Sequence, residues 1–238
     1  MRIVSLFDIE KKYMKIESRH TLIMLHGLRR PDTRIGRVIN GAEDKIMYFA
    51  TRPLRKAFRR RGIELEIVQT GVDFKKGSNI EAQREVVRTD IRQRQERDEI
   101  VSVGGYSGNG EEAFRLGVEF GIPAVSNNGR LAKGTEDEKP SLTHAARNHS
   151  AFEDAVIDFQ NNISSLVINQ ANSSRFLTVG ASKDSIVPEK TKSLDAVEHI
   201  RVKNRFLPKG LDHFVAIIKG FRDSRVIQHL LNQHLSRN

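Results

Sequence analysis

Short apolar runs of strand length recur along the chain with helical stretches between them, and this alternation restricts the fold more than any other feature. Thr21-Leu-Ile-Met-Leu25 is a continuous run that ends at His26-Gly27, as expected of a strand buried on both faces. Ile63–Val68 alternates apolar and charged residues, and Ile100–Val103, Ile122–Val125, Arg175–Val179 and His199–Phe206 read as further strands. Helical spacing covers Asp44–Arg61 and Asn79–Asp98, the latter with Ile80, Val86, Val87 and Ile91 as its apolar positions. It also covers Glu111–Phe120, which Gly121 stops, then Phe214–Phe221 and Ser224–Leu235. Val187-Pro188 opens one more expected helix, running to Glu198. Parallel neighbours need such crossovers, so the pattern predicts a mostly parallel sheet with helices on both faces, a three-layer α/β/α sandwich. Met1–Asp8 and Lys12–Glu17 read as two more strands joined by a short link, an antiparallel edge. No Pro-rich or Gly/Ser-rich linker divides the chain, so residues 1–238 are expected to form a single domain. Gly129–Asn172 breaks the rhythm with a charged cluster at Lys133–Lys139 and is expected to be a lid or insertion over the sheet.

Composition narrows the chemistry. The 238 residues contain neither Cys nor Trp, which excludes a disulfide scaffold, a zinc–thiolate site, an iron–sulfur cluster and a cysteine nucleophile. No apolar run approaches the roughly 20 residues that cross a bilayer. The N-terminus turns charged too soon to form a signal-peptide core. The expectation is a cytoplasmic protein. Lys and Arg number 40 against 30 Asp and Glu, a formal net charge of +10, and the densest run is Arg52–Arg61, with six basic residues in ten. On a helix Leu54, Ala57 and Phe58 would share one face with the cations around them. Such a run is a solvated face or a surface for an anionic partner. No nucleic-acid-binding motif accompanies it, and nucleic acid is not the expected partner.

In a parallel sheet, chemistry gathers beyond the carboxyl ends of the strands, and four of those ends carry suggestive residues. Gly105-Tyr106-Ser107-Gly108-Asn109 places a serine in a tight turn between strand and helix, where sharp geometry exposes the hydroxyl. The Gly108 N–H lies at the start of that helix, suited to a developing oxyanion. His26-Gly27-Leu28 can supply a second donor, the Leu28 N–H. Asp184 follows the Arg175–Val179 strand, placed to orient a histidine, and Gly210-Leu-Asp-His213 can bring His213 to Ser107 as general base. Each has an ordinary alternative. The glycine-rich turn also suits a dinucleotide loop, yet no acidic residue ends the next strand and the Lys-Ser/Thr pair of a phosphate loop is missing. His213 competes with His20, His26, His144, His149, His199, His229 and His234, of which His229 and His234 are expected on the surface of the last helix. Asp184 competes with Asp195 and Asp212. No metal-ligand spacing is present, and no metal or organic cofactor is expected.

The order Ser107, Asp184, His213, with His26-Gly27 upstream and the strand–helix rhythm, resembles the α/β-hydrolase superfamily over nearly the whole chain, from Met1 to Phe221. The resemblance implies a central sheet of about eight strands, a Ser–His–Asp triad of Ser107, His213 and Asp184, and an oxyanion hole from the Leu28 and Gly108 backbones. It implies a serine hydrolase that cleaves a carboxylic ester or thioester through an acyl-enzyme, in the manner of carboxylesterases, lipases and thioesterases. The partner would be a small acyl substrate, with His26, Arg29, Arg30 and Tyr106 as candidate substrate contacts; arginine suits an acidic substrate group, and the alternative is that Arg29 and Arg30 both face solvent. One position departs from the pattern: the elbow's second glycine is Asn109, which tolerates unusual backbone angles better than most residues. The competing expectation is the same scaffold with little or no turnover, binding an anionic partner through its basic surface.

Overall fold

The computed structural model describes residues 16–27, 34–74, 77–131, 150–164, 168, 172–182, 184, 186–187, 192–203 and 211–237. In β1 (Ser18–Leu25), Leu22 and Met24 join one hydrophobic cluster while Ile23 and Leu25 join another. A strand's side chains alternate across the sheet, so the continuous apolar run has apolar partners on both sides. The other strands are β2 (Ile63–Thr70), β3 (Ile100–Tyr106), β4 (Ala124–Asn127), β5 (Phe176–Ala181) and β6 (Glu198–Val202). They form one sheet in the order β2-β1-β3-β4-β5-β6, with every pairing parallel. The described sheet has six strands rather than about eight, and the two strands expected at Met1–Asp8 and Lys12–Glu17 lie almost wholly outside the described residues.

One face is covered by α1 (Arg34–Ala50), α2 (Arg52–Arg59), α6 (Leu211–Arg222) and α7 (Ser224–Leu235), through Met47, Leu54, Phe58, Ile217, Phe221 and Leu230. On the other lie α3 (Ile80–Gln95), α4 (Gly110–Phe120) and α5 (Ser150–Phe159), through Val87, Ile91, Phe114, Leu116 and Phe159. This is the expected three-layer sandwich. Each buried Leu, Ile or Phe contributes about 1.5–3 kcal/mol.

Local chemistry sets the ends. Asn79 caps α3 by accepting the Ala82 N–H at 2.9 Å, and Gly121 closes α4 at φ 62°, a left-handed angle that favours glycine. The helix expected over Asp44–Arg61 is two, broken at Thr51. Pro53 has no N–H to return to Phe49, so the hydrogen-bond ladder is interrupted there, and the Thr51 hydroxyl bonds Met47 O at 2.9 Å and Tyr48 O at 3.2 Å. The helix expected from Val187 to Glu198 is not present in its described part, where residues 192–197 are irregular with a turn at 195–196. Val86, expected among the apolar positions of α3, is 68% exposed. Among the described residues no helix is long and apolar enough to cross a membrane.

Candidate active site

The sheet's connections run outward in opposite senses from the β1–β3 boundary, which opens a crevice beyond the carboxyl ends of those two strands. Ser107 follows β3 there and Gly27 follows β1, and a Cβ added to Gly27 would lie 3.1 Å from the Ser107 Cβ. Ser107 has φ 53°, a conformation that costs a non-glycine residue about 1–3 kcal/mol and persists only where the surroundings impose it. The surroundings do so by crowding. A Cβ at Gly105 would lie 2.0 Å from the Asn109 carbonyl oxygen, and one at Gly110 would lie 2.4 Å from the Cα of Gly129. The second glycine that this turn requires is therefore Gly110.

Asn109 has a different use from the one its backbone tolerance suggests. Its φ is −108°, so no left-handed freedom is needed. Its amide is fully buried, donating to His26 O at 2.6 Å and Val72 O at 3.0 Å and accepting the Val72 N–H at 3.1 Å. One side chain thus ties the loops after β1 and β2 to the turn that carries Ser107. The start of the turn presents the Gly108 N–H, one of the early amides that a helix leaves without an internal acceptor.

The acid–base groups assemble two strands away. Asp184 lies just past β5, and its Oδ2 is 2.9 Å from His213 Nδ1, which is on the first turn of α6. The same oxygen is 3.0 Å from the Lys192 ammonium, which is wholly buried, while Oδ1 accepts the N–H groups of Ile186 at 2.9 Å and Val187 at 3.1 Å. Burial alone would raise the Asp184 pKa. The hydrogen bond and charge of His213, the Lys192 cation and the Ile186 amide outweigh it and hold the carboxyl well below the usual range. His213 Nε2 is buried and makes no hydrogen bond among the described residues, so the ring is joined to its acid but not to Ser107. Asp212 serves the backbone, its Oδ1 accepting the His213 N–H at 2.8 Å, and Asp195 is exposed.

The remaining expected residues fall in different places. Leu28, Arg29 and Arg30 lie outside the described residues, as do His144 and His149. Tyr106 is 1% exposed and packs edge-on against Phe221 at 6.1 Å, a core position. The His26 ring lies against Gly71, where an added Cβ would come within 2.8 Å, and its Nδ1 is 2.8 Å from Gly27 O. His234, expected on the surface, is fully buried against His20 and Phe58, because α7 lays its histidine face on the start of β1. Among the described residues, no cluster of three or more His, Asp or Glu has the arrangement of a metal site.

Three groups near the site carry no distinguishing mark in the sequence. Lys192 falls in the stretch read as a helix from Val187 to Glu198, with nothing to single it out. Glu111 and Glu112, in the first turn of α4, are fully buried. Arg84 grips Glu112 with contacts of 2.8–3.1 Å. Glu111 makes no hydrogen bond, and its nearest cation is Arg115 at 3.7 Å. Burial and then the neighbouring Glu112 push its pKa well above the usual value.

No family model matches the chain, and no curated protein matches it. Solved structures do share its architecture. Carboxyl esterase 2 from the mycorrhizal fungus Tuber melanosporum is 13% identical over 92% of this chain and 76% of that one, with a TM-score of 0.53. Bacillus licheniformis lipase BlEst2 in its mature form is 15% identical over 91% of this chain and 94% of that one, with a TM-score of 0.52. The fold of this protein is the α/β-hydrolase fold.

Proposed function

We propose that this α/β-hydrolase fold carries a serine hydrolase that cleaves a carboxylic ester or thioester, with Ser107 as nucleophile, His213 as general base and acid, and Asp184 as the group that orients it. The observation that carries this reading is the ionised Asp184 hydrogen-bonded to His213 at 2.9 Å, at the same edge of the sheet as a serine strained to φ 53°. With Nδ1 bonded to Asp184, Nε2 is the nitrogen left to take the Ser107 proton as Oγ attacks the carbonyl carbon. The Gly108 and Leu28 N–H groups receive the oxyanion. Nε2 then returns the proton to the leaving alcohol or thiol, and water, deprotonated by the same nitrogen, frees the acid.

The architectural likeness to a carboxyl esterase and a lipase supports an ester as substrate. The packing of α5 supports a cover over the site: Phe152 and Val156 join Val72 and Phe74, with Ile186 of the Asp184 loop against them. Residues 129–172 are thus proposed as a modest lid, which favours a small or medium acyl group. An acidic substrate group would meet Arg29 or Arg30.

Fluorophosphonate labelling with intact mass and peptide mapping tests the assignment. Stoichiometric modification at Ser107, lost in Ser107→Ala and His213→Ala, is the expected result. Labelling that survives in Ser107→Ala would show that another serine is the nucleophile. The competing reading, a scaffold that binds an anionic partner without turnover, predicts an unlabelled protein of unchanged fold.

A further inference from the structure

Two helices of this protein are rich in arginine and treat it in opposite ways. On α3 every arginine has a carboxylate partner: Arg84 has Glu112, Arg88 has Glu81 and Glu119, Arg92 has Glu85, and Arg94 has Asp90, Glu66 and Glu99. On α2 and the turn after it, Arg52, Lys56, Arg59, Arg60 and Arg61 are exposed, and none has a carboxylate within ion-pair distance among the described residues. Leu54 and Phe58, both fully buried, fasten α2 to the sheet, so these cations are held outward on a rigid support.

The last turn of α1 continues the same surface. Tyr48 and Phe49 are 56% and 63% exposed, their rings edge-on at 5.8 Å, and the Arg55 guanidinium lies 5.0 Å over the Tyr48 ring. Lys45 is exposed one turn earlier. An aromatic pair with cations on both sides along a helical ridge has the chemistry of a peripheral membrane contact. Cations meet headgroup phosphates and carboxylates, and the rings enter the boundary with the acyl chains.

We propose that this ridge docks the protein on a bilayer surface bearing anionic headgroups. The two rings meet edge-on and the Arg55 guanidinium takes one face of Tyr48, so the rings present no parallel row of open faces for successive bases, which favours a lipid surface over single-stranded nucleic acid. The α2 part of the ridge leads into the first residue of β2 and so ends at the amino end of the sheet, whereas Ser107 and Asp184 follow the carboxyl ends of their strands. Docking through Arg59, Arg60 and Arg61 therefore anchors the protein by the end of the sheet opposite Ser107, and this does not depend on the serine-hydrolase assignment.

Co-sedimentation of the full chain with phosphatidylcholine vesicles, with and without phosphatidylserine, tests it. Binding is expected only with phosphatidylserine and is expected to weaken as salt is raised. Each cation near an anionic leaflet contributes about fivefold in partition, so Arg59→Gln with Arg60→Gln should lower it about 25-fold. Phe49→Ser should lower it about tenfold through lost apolar contact. Arg92→Gln on α3 should leave it unchanged. Equal partition onto both kinds of vesicle, or full binding by the Arg59→Gln/Arg60→Gln protein, overturns the proposal. So does a labelled single-stranded oligonucleotide that binds at lower protein concentration than the vesicles, since the surface would then read nucleic acid.

Discussion

Two histidines are buried at opposite ends of the parallel sheet, and their partners differ. His213 Nδ1 faces the ionised Asp184. His20 Nδ1, on β1, faces the Nδ1 of His234 at 3.1 Å, with the Phe58 ring edge-on to His20 at 5.0 Å. Two facing ring nitrogens can share only one proton, so one ring donates and the other accepts. Burial, and then the charges that His234 and Arg237 would present, push the His20 pKa down to about 3. Burial by itself thus makes a histidine a neutral packing group. Only an anion across the hydrogen bond compensates an imidazolium charge, and only one end of this sheet supplies it.

The sharpest way to break that contrast is to remove the anion. Asp184→Asn keeps the shape and hydrogen-bonding capacity of the side chain but leaves His213 beside a neutral amide, as His20 is beside a neutral ring. Turnover of a chromogenic acyl ester should fall by a factor on the order of 10⁴ at neutral pH, with the protein still folded by circular dichroism. A loss below tenfold would remove Asp184 from the mechanism.

The next effect lies at the other end of the sheet. His20 folds with a pKa below its unfolded value of about 6.5, so the unfolded chain binds the extra proton as pH falls. Stability is full above pH 6.5 and declines as pH drops toward 3, by up to about 1.4 kcal/mol per unit. The lowered His234 acts in the same direction. Urea unfolding at stepped pH should show a loss of about 2 kcal/mol between pH 6.5 and 5, and His20→Leu should flatten that slope. An unchanged slope would show that another group sets it.

What the sequence disclosed follows from the range of the forces involved. Periodicity and local turn chemistry act over a few residues, so β1 through β6, the Ser107 turn and the stop at Gly121 were all legible. The strand ends placed Ser107, Asp184 and His213 at one edge without any long-range information. What stayed hidden depended on packing between distant segments. His234 looked like a surface residue because α7 displays its register only when β1 is beneath it. Asn109 looked like a concession in backbone angle, whereas its amide reaches loops 37 and 83 residues away. Lys192, 11 residues from the carbonyl of Ala181 that it touches at 3.4 Å, lies in the stretch read as a helix from Val187 to Glu198.

Lys192 also offers the finest test of the contrast, because it adjusts the anion rather than deleting it. Its ammonium and the His213 imidazole share one oxygen of Asp184. That cation helps to keep Asp184 ionised. Lys192→Met fills similar space without the charge, so the Asp184 pKa should rise toward its ordinary value. The variant should then lose its orienting anion at a higher pH than the parent, so kcat/KM at acid pH falls earlier while the rate at neutral pH changes little. A variant that melts earlier yet keeps the parent's pH profile would make Lys192 a packing residue, and the carboxylate's low pKa would then rest on His213 and the Ile186 amide.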